Sequence, residues 1–189
     1  MAGAVKSVLI QPIDQENNLF RITSVFPQRI VDLVMQEDWL NLSWCLQEGQ
    51  EKWSRRRVNH SAIAWVDQWH AHMRDIWPEL ERQLGIPIQP YTDTAFWIDE
   101  PGFTCPLHTD GEMPGALHLT WLGAGTAFYW YKNPESLRFQ VPALPNAGYI
   151  MINMPDVHKY RRLLWHGMLE PVPINTVRLS SYTWIIPKT

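Results

Sequence analysis

The stretch Pro101-Gly-Phe-Thr-Cys-Pro-Leu-His-Thr-Asp-Gly111 is the one around which the rest of the chain is arranged, and His108-Thr109-Asp110 is its chemical centre. In an extended chain, successive side chains point to opposite faces, so His108 and Asp110 project from the same face. An imidazole and a carboxylate placed in this way can hold one metal ion between them. A turn is the alternative interpretation, because Thr-Asp-Gly is a common turn sequence. A metal site therefore requires a third ligand from elsewhere in the chain.

The clearest third ligand is His166, which lies in the apolar segment from Leu163 to Met168, as a residue on a pocket-lining strand should. His158 lies in a polar stretch and His118 alternates with leucines, so we expect neither to be a ligand. Two imidazoles and one carboxylate on one face, with the remaining positions open, form the facial triad that is typical of non-haem Fe(II). The predicted metal ligands are His108, Asp110 and His166.

A candidate anion-binding pair follows twelve residues further on, at Arg178 and Ser180. Residues 176 to 184 alternate like a strand, with Arg178, Ser180 and Tyr182 on one face and apolar residues on the other. A guanidinium binds a carboxylate through two parallel hydrogen bonds, and the hydroxyl can add a third. No carboxylate in the sequence is obviously reserved for Arg178, so an inward-facing charge here requires an anionic ligand. A surface arginine on a barrel strand is the alternative.

The order His-x-Asp, distant His, Arg-x-Ser resembles the signature of the Fe(II)/2-oxoglutarate-dependent dioxygenases, over about residues 87 to 187. The resemblance implies a double-stranded β-helix with iron bound by His108, Asp110 and His166. It also implies that Arg178 and Ser180 bind the distal carboxylate of 2-oxoglutarate. Fe(II), 2-oxoglutarate and O2 are then the expected cofactors, and hydroxylation of an unactivated C–H bond, with formation of succinate and CO2, is the expected reaction. The primary substrate, a small molecule or a protein side chain, is not identified.

Two other functions remain open at this point. One is a cupin-like β-barrel metalloenzyme that does not use 2-oxoglutarate. The other is a non-catalytic jelly-roll binding module whose tryptophans stack on sugars. Arg178 with Ser180 favours the oxygenase over the first, and the metal triad favours an enzyme over the second.

Length and composition favour a single domain over residues 1–189, with residues 1–86 supporting a jelly-roll core at residues 87–189. The net charge of −3 gives no basic footprint, so nucleic acid is not an expected partner. Two cysteines without paired spacing predict a reducing, cytoplasmic setting. No apolar run approaches the ~20 residues of a membrane span, so we expect no membrane partner.

The predicted fold class is α+β, mainly β. The periodicity indicates a jelly roll with N-terminal helices packed on one sheet, and the resemblance implies that this jelly roll is a double-stranded β-helix. Helices are expected from Pro27 to about Trp39 and from about Asn59 to Leu84, the second kinked or divided at Pro78. About eight strands follow residue 85, a number that a jelly roll requires.

Three smaller expectations concern polar residues and strand register. Residues 55 to 57, three adjacent arginines, are predicted to be a solvated surface, with contact to an acidic substrate or cosubstrate as the alternative. His70 and His72 are predicted to be exposed, since residues two apart on a helix do not face each other. On the predicted strand from Ala116 to Leu122, either Thr120 or Trp121 faces the cosubstrate, because a one-residue slip exchanges the faces.

Overall fold

The computed structural model describes residues 8–14, 18–42, 44–45, 55–109, 114–123, 126–131, 136–152 and 165–188. Two helices, α1 (Gln28–Gln36) and α2 (Val66–Leu84), lie in the N-terminal half, and a short 3₁₀ turn (His60–Ala62) precedes α2. The strands are β1 (Leu9–Asp14), β2 (Leu19–Thr23), β3 (Trp44–Cys45), β4 (Arg55–Val58), β5 (Thr94–Asp99), β6 (Cys105–His108), β7 (Gly115–Leu122), β8 (Thr126–Tyr131), β9 (Leu137–Pro142), β10 (Ala147–Ile152), β11 (Trp165–Met168) and β12 (Arg178–Trp184).

The strands form two sheets in which the described pairs are antiparallel. The large sheet has the order β1-β2-β10-β7-β12-β5-β4-β3, and the small sheet has the order β6-β11-β8-β9. From β5 onwards the chain winds between them, since β5, β7, β10 and β12 lie in the large sheet and the other strands lie in the small one. This winding produces the predicted jelly-roll core.

The helices cover the outer face of the large sheet, as the sequence predicted. Trp69 of α2 lies at the centre of this layer, with its ring 5.2 Å from that of Trp121 on β7 and 4.7 Å from that of Phe96 on β5. Phe26, just before α1, stacks on Trp69 at 3.9 Å. Because large aromatic rings bury much apolar area, this layer anchors both helices to the sheet.

The second helix is continuous through Pro78, so this proline does not divide it into two helices. Proline removes one backbone hydrogen bond, but the buried side chains on either side, Trp77 and Leu80, hold the helix on the sheet. Trp77 also donates its indole N–H to the carbonyl of Gln89 at 2.7 Å. The helix ends at Gly85 in the left-handed conformation (φ 66°), as a glycine stop predicts.

The three arginines lie on β4, which pairs with β5 in the large sheet. The prediction of a solvated surface is wrong for Arg55, whose side chain is 17% exposed and pairs with Asp99. Arg56 fits the surface prediction better, because its side chain is 33% exposed and forms an ion pair with the similarly exposed Glu100. Alternation along β4 explains the difference, since neighbouring side chains leave a strand on opposite faces.

A smaller core fills the space between the two sheets. Leu19, Tyr149 and Met151 contribute from the large sheet, and Cys105 and Met168 contribute from the small one. All five side chains are buried, so the sheets are held together at this end. Within the described ranges, we find no helix with the length and apolar character of a membrane span.

Candidate metal centre and its pocket

Two of the three predicted metal ligands lie side by side. In the small sheet, β11 pairs with β6 so that His166 is directly opposite His108. Their ring centroids are 4.4 Å apart, His166 is buried, and His108 is half-buried. Asp110, the third predicted ligand, and the rival His158 lie outside the described residues. Strand pairing therefore joins two imidazoles that are far apart in the sequence.

The local backbone selects one tautomer of His108. Its Nδ1–H donates to the carbonyl oxygen of Pro106 at 2.8 Å, and the Sγ of Cys105 lies 3.6 Å from the same nitrogen. A neutral imidazole has one N–H, so Nε2 carries the lone pair. A backbone carbonyl on the second ring nitrogen is the usual way in which proteins orient a metal-binding histidine. The donor chemistry of His108 thus fits a metal ion.

Gly167 allows β6 and β11 to approach each other closely. A Cβ atom built at this position would lie 2.8 Å from the carbonyl oxygen of Cys105 and 3.0 Å from that of Pro106. Real Cβ atoms do not approach backbone atoms this closely, so any side chain here would separate the strands. The sequence Trp165-His166-Gly167 therefore supplies the predicted ligand, His166, and permits the close approach that pairs it with His108.

A pocket opens beside the two histidines, between the sheets. It is lined by both histidines and, from the large sheet, by Arg55, Ser180 and Tyr182, among others. The pocket encloses about 90 Å³, whereas one buried water needs about 10–15 Å³. It therefore has room for a metal ion and a small organic anion.

The inward face of the large sheet carries the polar side chains of the pocket. Strand pairing places Thr120 opposite Ser180 and His118 opposite Tyr182. Thr120 thus takes the inward face, and Trp121 packs on the helices, which resolves the register that the sequence left open. His118 is buried, lines the pocket and stacks on Tyr149, with ring centroids 5.1 Å apart.

A buried carboxylate lies between two arginines on the same face. Arg178 donates from Nε to Asp99 at 3.0 Å, and Arg55 donates from Nε to the other oxygen at 2.5 Å. The expectation that no carboxylate is reserved for Arg178 is wrong. Asp99 lies on a strand that pairs with β12, and sequence distance concealed this contact.

The three charges leave one positive charge in excess. Asp99 is fully buried and Arg178 is 3% exposed. Burial acts to lower the pKa of Arg55, but the charge and the hydrogen bond of Asp99 outweigh burial and raise it, so the guanidinium stays charged. The pair of arginines therefore still attracts an anion.

Several buried donors near this charge have no partner among the described residues. They are Nη2 of Arg178, Oγ of Ser180 and Oγ1 of Thr120. Leaving a buried donor unsatisfied costs about 1–3 kcal/mol, and more for a charged group. Such a set fits an anionic ligand that accepts hydrogen bonds.

No protein-family model matches this chain, and no curated protein matches it either. Solved structures do match it. A Pseudomonas putida prolyl-4-hydroxylase aligns with a TM-score of 0.60 at 13% identity, covering 92% of this chain and 94% of that one. A prolyl hydroxylase from Trichoplax adhaerens aligns with a TM-score of 0.63 at 8% identity, covering 90% of this chain and 84% of that one. This chain has the double-stranded β-helix fold.

A third neighbour with this fold is the non-haem α-ketoglutarate-dependent epimerase SnoN from nogalamycin biosynthesis. It aligns with a TM-score of 0.62 at 10% identity, covering 90% of this chain and 78% of that one. The structural neighbours thus include two prolyl hydroxylases and a non-haem α-ketoglutarate-dependent epimerase. The double-stranded β-helix predicted from the sequence is thereby confirmed.

The sequence analysis missed Asp99 as the partner of Arg178, and it missed Arg55 as a residue that lines the pocket and shares Asp99. Both lie on strands of the β-helix that pair with each other, and their Cα atoms are in register. The segment around Arg55 gives no alternation that would indicate a strand, because residues 55 to 57 are all arginine. The pairing of that segment with β5 depends on the tertiary fold.

A second group of metal-binding residue types lies elsewhere, at His60, His70 and Asp93. The prediction that His70 is exposed is wrong, because its side chain is 17% exposed and bonds to Tyr91. His72 is also partly buried and donates to the carbonyl of Val25 at 2.8 Å. Burial lowers the pKa of both His60 and His70, and the charge of Asp93 opposes this effect.

Proposed function

We propose that this protein is an Fe(II)- and 2-oxoglutarate-dependent oxygenase that hydroxylates an unactivated C–H bond. One observation carries the proposal: one pocket is lined by two adjacent imidazoles and, from the large sheet, by Arg55 and Ser180. Arg178 lies two residues from Ser180 on the same strand, and both carry a buried donor without a partner among the described residues. A cupin-like metalloenzyme would not need these donors. A sugar-binding module would need neither feature.

His108 and His166, with Asp110 assigned from its spacing, would hold Fe(II). The half-exposed His108 is fixed in the binding tautomer by Pro106, and His166 is held by the paired strands. When bound, Fe(II) with 2-oxoglutarate and O2 supplies the oxidising chemistry, with succinate and CO2 as coproducts. The ligand set leaves coordination positions open, as this chemistry requires.

Arg178 and Ser180 would bind the distal carboxylate of 2-oxoglutarate. Arg178 offers its unpaired Nη2, while its Nε stays fixed on Asp99, so the guanidinium is oriented before the anion arrives. Ser180 adds a hydroxyl donor from the same face of β12. A preorganised donor set loses little conformational freedom on binding, which favours affinity.

Arg55 deepens the positive potential of the pocket. Its guanidinium lies over the ring of Phe103 at 4.7 Å and near Trp97 at 5.5 Å, which holds it in place. Arg55 lines the pocket itself, so it is the cationic group that an acidic cosubstrate or substrate would meet. The primary substrate is a small molecule or a protein side chain, and the prolyl hydroxylases among the neighbours make hydroxylation the preferred outcome.

The test is succinate formation by purified protein with Fe(II), 2-oxoglutarate and O2, without added substrate. Wild type should release succinate slowly through uncoupled turnover. His108→Ala, Asp110→Ala and His166→Ala should each abolish it and abolish iron binding, whereas His158→Ala should retain both. Loss of iron in His158→Ala with retention in His166→Ala would overturn the ligand assignment. Wild type that neither binds 2-oxoglutarate nor forms succinate would overturn the function.

A further inference from the structure

Three separate elements meet at His60, His70 and Asp93. His60 belongs to the 3₁₀ turn, His70 to α2, and Asp93 to the segment that enters β5. Oδ1 of Asp93 lies 3.4 Å from Nδ1 of His60 and 3.8 Å from Nε2 of His70. One nitrogen from each histidine and one carboxylate oxygen all lie within 4.8 Å of one another.

These separations suit a shared ion better than direct hydrogen bonds. An N–H···O hydrogen bond spans about 2.7–3.2 Å, and both contacts to Asp93 are longer. Two ligand atoms at about 2.0–2.1 Å from one zinc ion, in tetrahedral arrangement, are roughly 3.4 Å apart. The observed 3.4 and 3.8 Å separations lie at and slightly above that value, so Oδ1 of Asp93 is already placed to share one ion with both nitrogens.

Outer contacts orient both His70 and Asp93. Nδ1 of His70 lies 2.5 Å from the hydroxyl of Tyr91, which also bonds to Thr94 at 3.0 Å. The backbone N–H of Thr94 donates to Oδ1 of Asp93 at 2.8 Å. If Nδ1 of His70 is the donor, its Nε2 lone pair is directed towards a carboxylate, and a cation between the two is favourable. Fixing the second nitrogen of a ligand in this way is common in metal sites.

The cluster is separate from the candidate iron centre. His60 packs edge-on against Phe96, with ring centroids 5.7 Å apart, and Phe96 belongs to the core beneath the helices. The next residue, Trp97, lines the pocket on the opposite face of the large sheet. The sheet therefore lies between the two groups, and neither needs the other.

We propose that His60, His70 and Asp93 form a second metal site, which binds Zn²⁺ with water in the remaining position. Two imidazoles and one carboxylate are ligands that zinc accepts in tetrahedral sites. The half-exposed side chain of Asp93 leaves the site open to solvent for entry of the ion. Because the ligands come from three elements, the bound ion fastens the 3₁₀ turn and α2 to the start of β5.

Zinc titration of the full chain in a His166→Ala background separates this site from the iron centre. In that background we expect the protein to bind one equivalent of zinc. His60→Ala, His70→Ala or Asp93→Asn should each weaken the zinc affinity by at least about a hundredfold. Tyr91→Phe should weaken zinc binding by about ten- to a hundredfold, because it removes an outer-shell contact. His72→Ala is the matched control on the same helix and should still bind one equivalent of zinc. Circular dichroism checks that each variant is folded.

A second readout is the zinc-induced rise in thermal stability. In the His166→Ala background this rise should be present, and it should remain when His72→Ala is added. It should be absent when His70→Ala or Asp93→Asn is added. No bound zinc in the His166→Ala background, or binding unchanged by Asp93→Asn, would overturn the second site. Another outcome is that zinc binding to the otherwise wild-type protein is lost with His70→Ala and is unaffected by His166→Ala. That outcome would support the second site and overturn the proposed iron ligands.

Discussion

At the scale of single residues, the proposed function gives Arg178 two roles that act on different atoms. Nε holds Asp99, and the unpaired Nη2 is offered to an anion. Arg178→Ala leaves the distal carboxylate of 2-oxoglutarate desolvated and without its partner, a loss of ~2–5 kcal/mol of binding free energy. At 1.4 kcal/mol per tenfold, 2-oxoglutarate should bind roughly thirtyfold to several thousandfold more weakly. Calorimetry on the anaerobic Mn(II) protein measures this change.

Two further variants sharpen the Arg178 experiment. Ser180→Ala removes one hydrogen bond to a charged group, worth about 1.5–3 kcal/mol, so its effect should be smaller. Arg56→Ala removes the same charge from the outer face of the sheet and should leave 2-oxoglutarate affinity nearly unchanged. Metal affinity without the cosubstrate should be similar in all three variants. Arg178→Ala that binds 2-oxoglutarate as tightly as wild type would contradict the assigned role.

Within the buried charge group of Arg55, Asp99 and Arg178, we expect the loss of Asp99 to destabilise the fold most. Asp99→Asn leaves two buried guanidiniums without a counter-charge, and breaking a buried ion pair costs about 3–5 kcal/mol. Arg55→Ala should cost less, because Asp99 keeps Arg178 as its partner. Urea unfolding of the two variants gives the comparison. An equal loss in both would show that the carboxylate does not bridge the arginines.

At the scale of elements, the approach of β6 to β11 depends on Gly167. Gly167→Ala introduces a Cβ atom that overlaps the carbonyls of Cys105 and Pro106, so β6 should shift and carry His108 away from His166. We expect iron affinity to fall by at least about tenfold, while the helical layer remains folded. Gly102→Ala is the control, since it is strained by a φ of 84° but meets no atom within 4 Å. Equal iron affinities in the two variants would contradict this account.

At the scale of the whole molecule, occupancy of the pocket should stabilise the two-sheet core. Ligand at 100 times its dissociation constant adds about 2.7 kcal/mol. For a chain of this size that raises the unfolding temperature by roughly 5–11 °C. The measurement is anaerobic calorimetric unfolding with Mn(II) and 2-oxoglutarate together. His166→Ala should lose this shift, and a wild type without any shift would contradict binding at the pocket.

Element types were easier to predict than their pairing partners. The strand predicted from Ala116 to Leu122 is β7, which begins one residue earlier. The strand predicted over residues 176 to 184 is β12, which begins two residues later. Both were predictable because alternation is written in the local sequence. By contrast, β4 was missed within a polar segment, since its inward residue is charged and its partner is remote. The extent of the domain, residues 1–189, remains a prediction.

The sequence by itself determined which residue types a candidate site could use. Strand periodicity and the resemblance together predicted that His108, His166, Arg178 and Ser180 belong to it, and this assignment stays a prediction. Only the tertiary structure decided what each side chain contacts. Asp99 reaches Arg178 across 79 positions, and Thr120 takes the inward face because pairing with β12 fixes its register. Periodicity is a property of one strand, whereas pairing depends on every strand and helix that closes the β-helix. The contacts that orient the charges are therefore encoded by the fold as a whole.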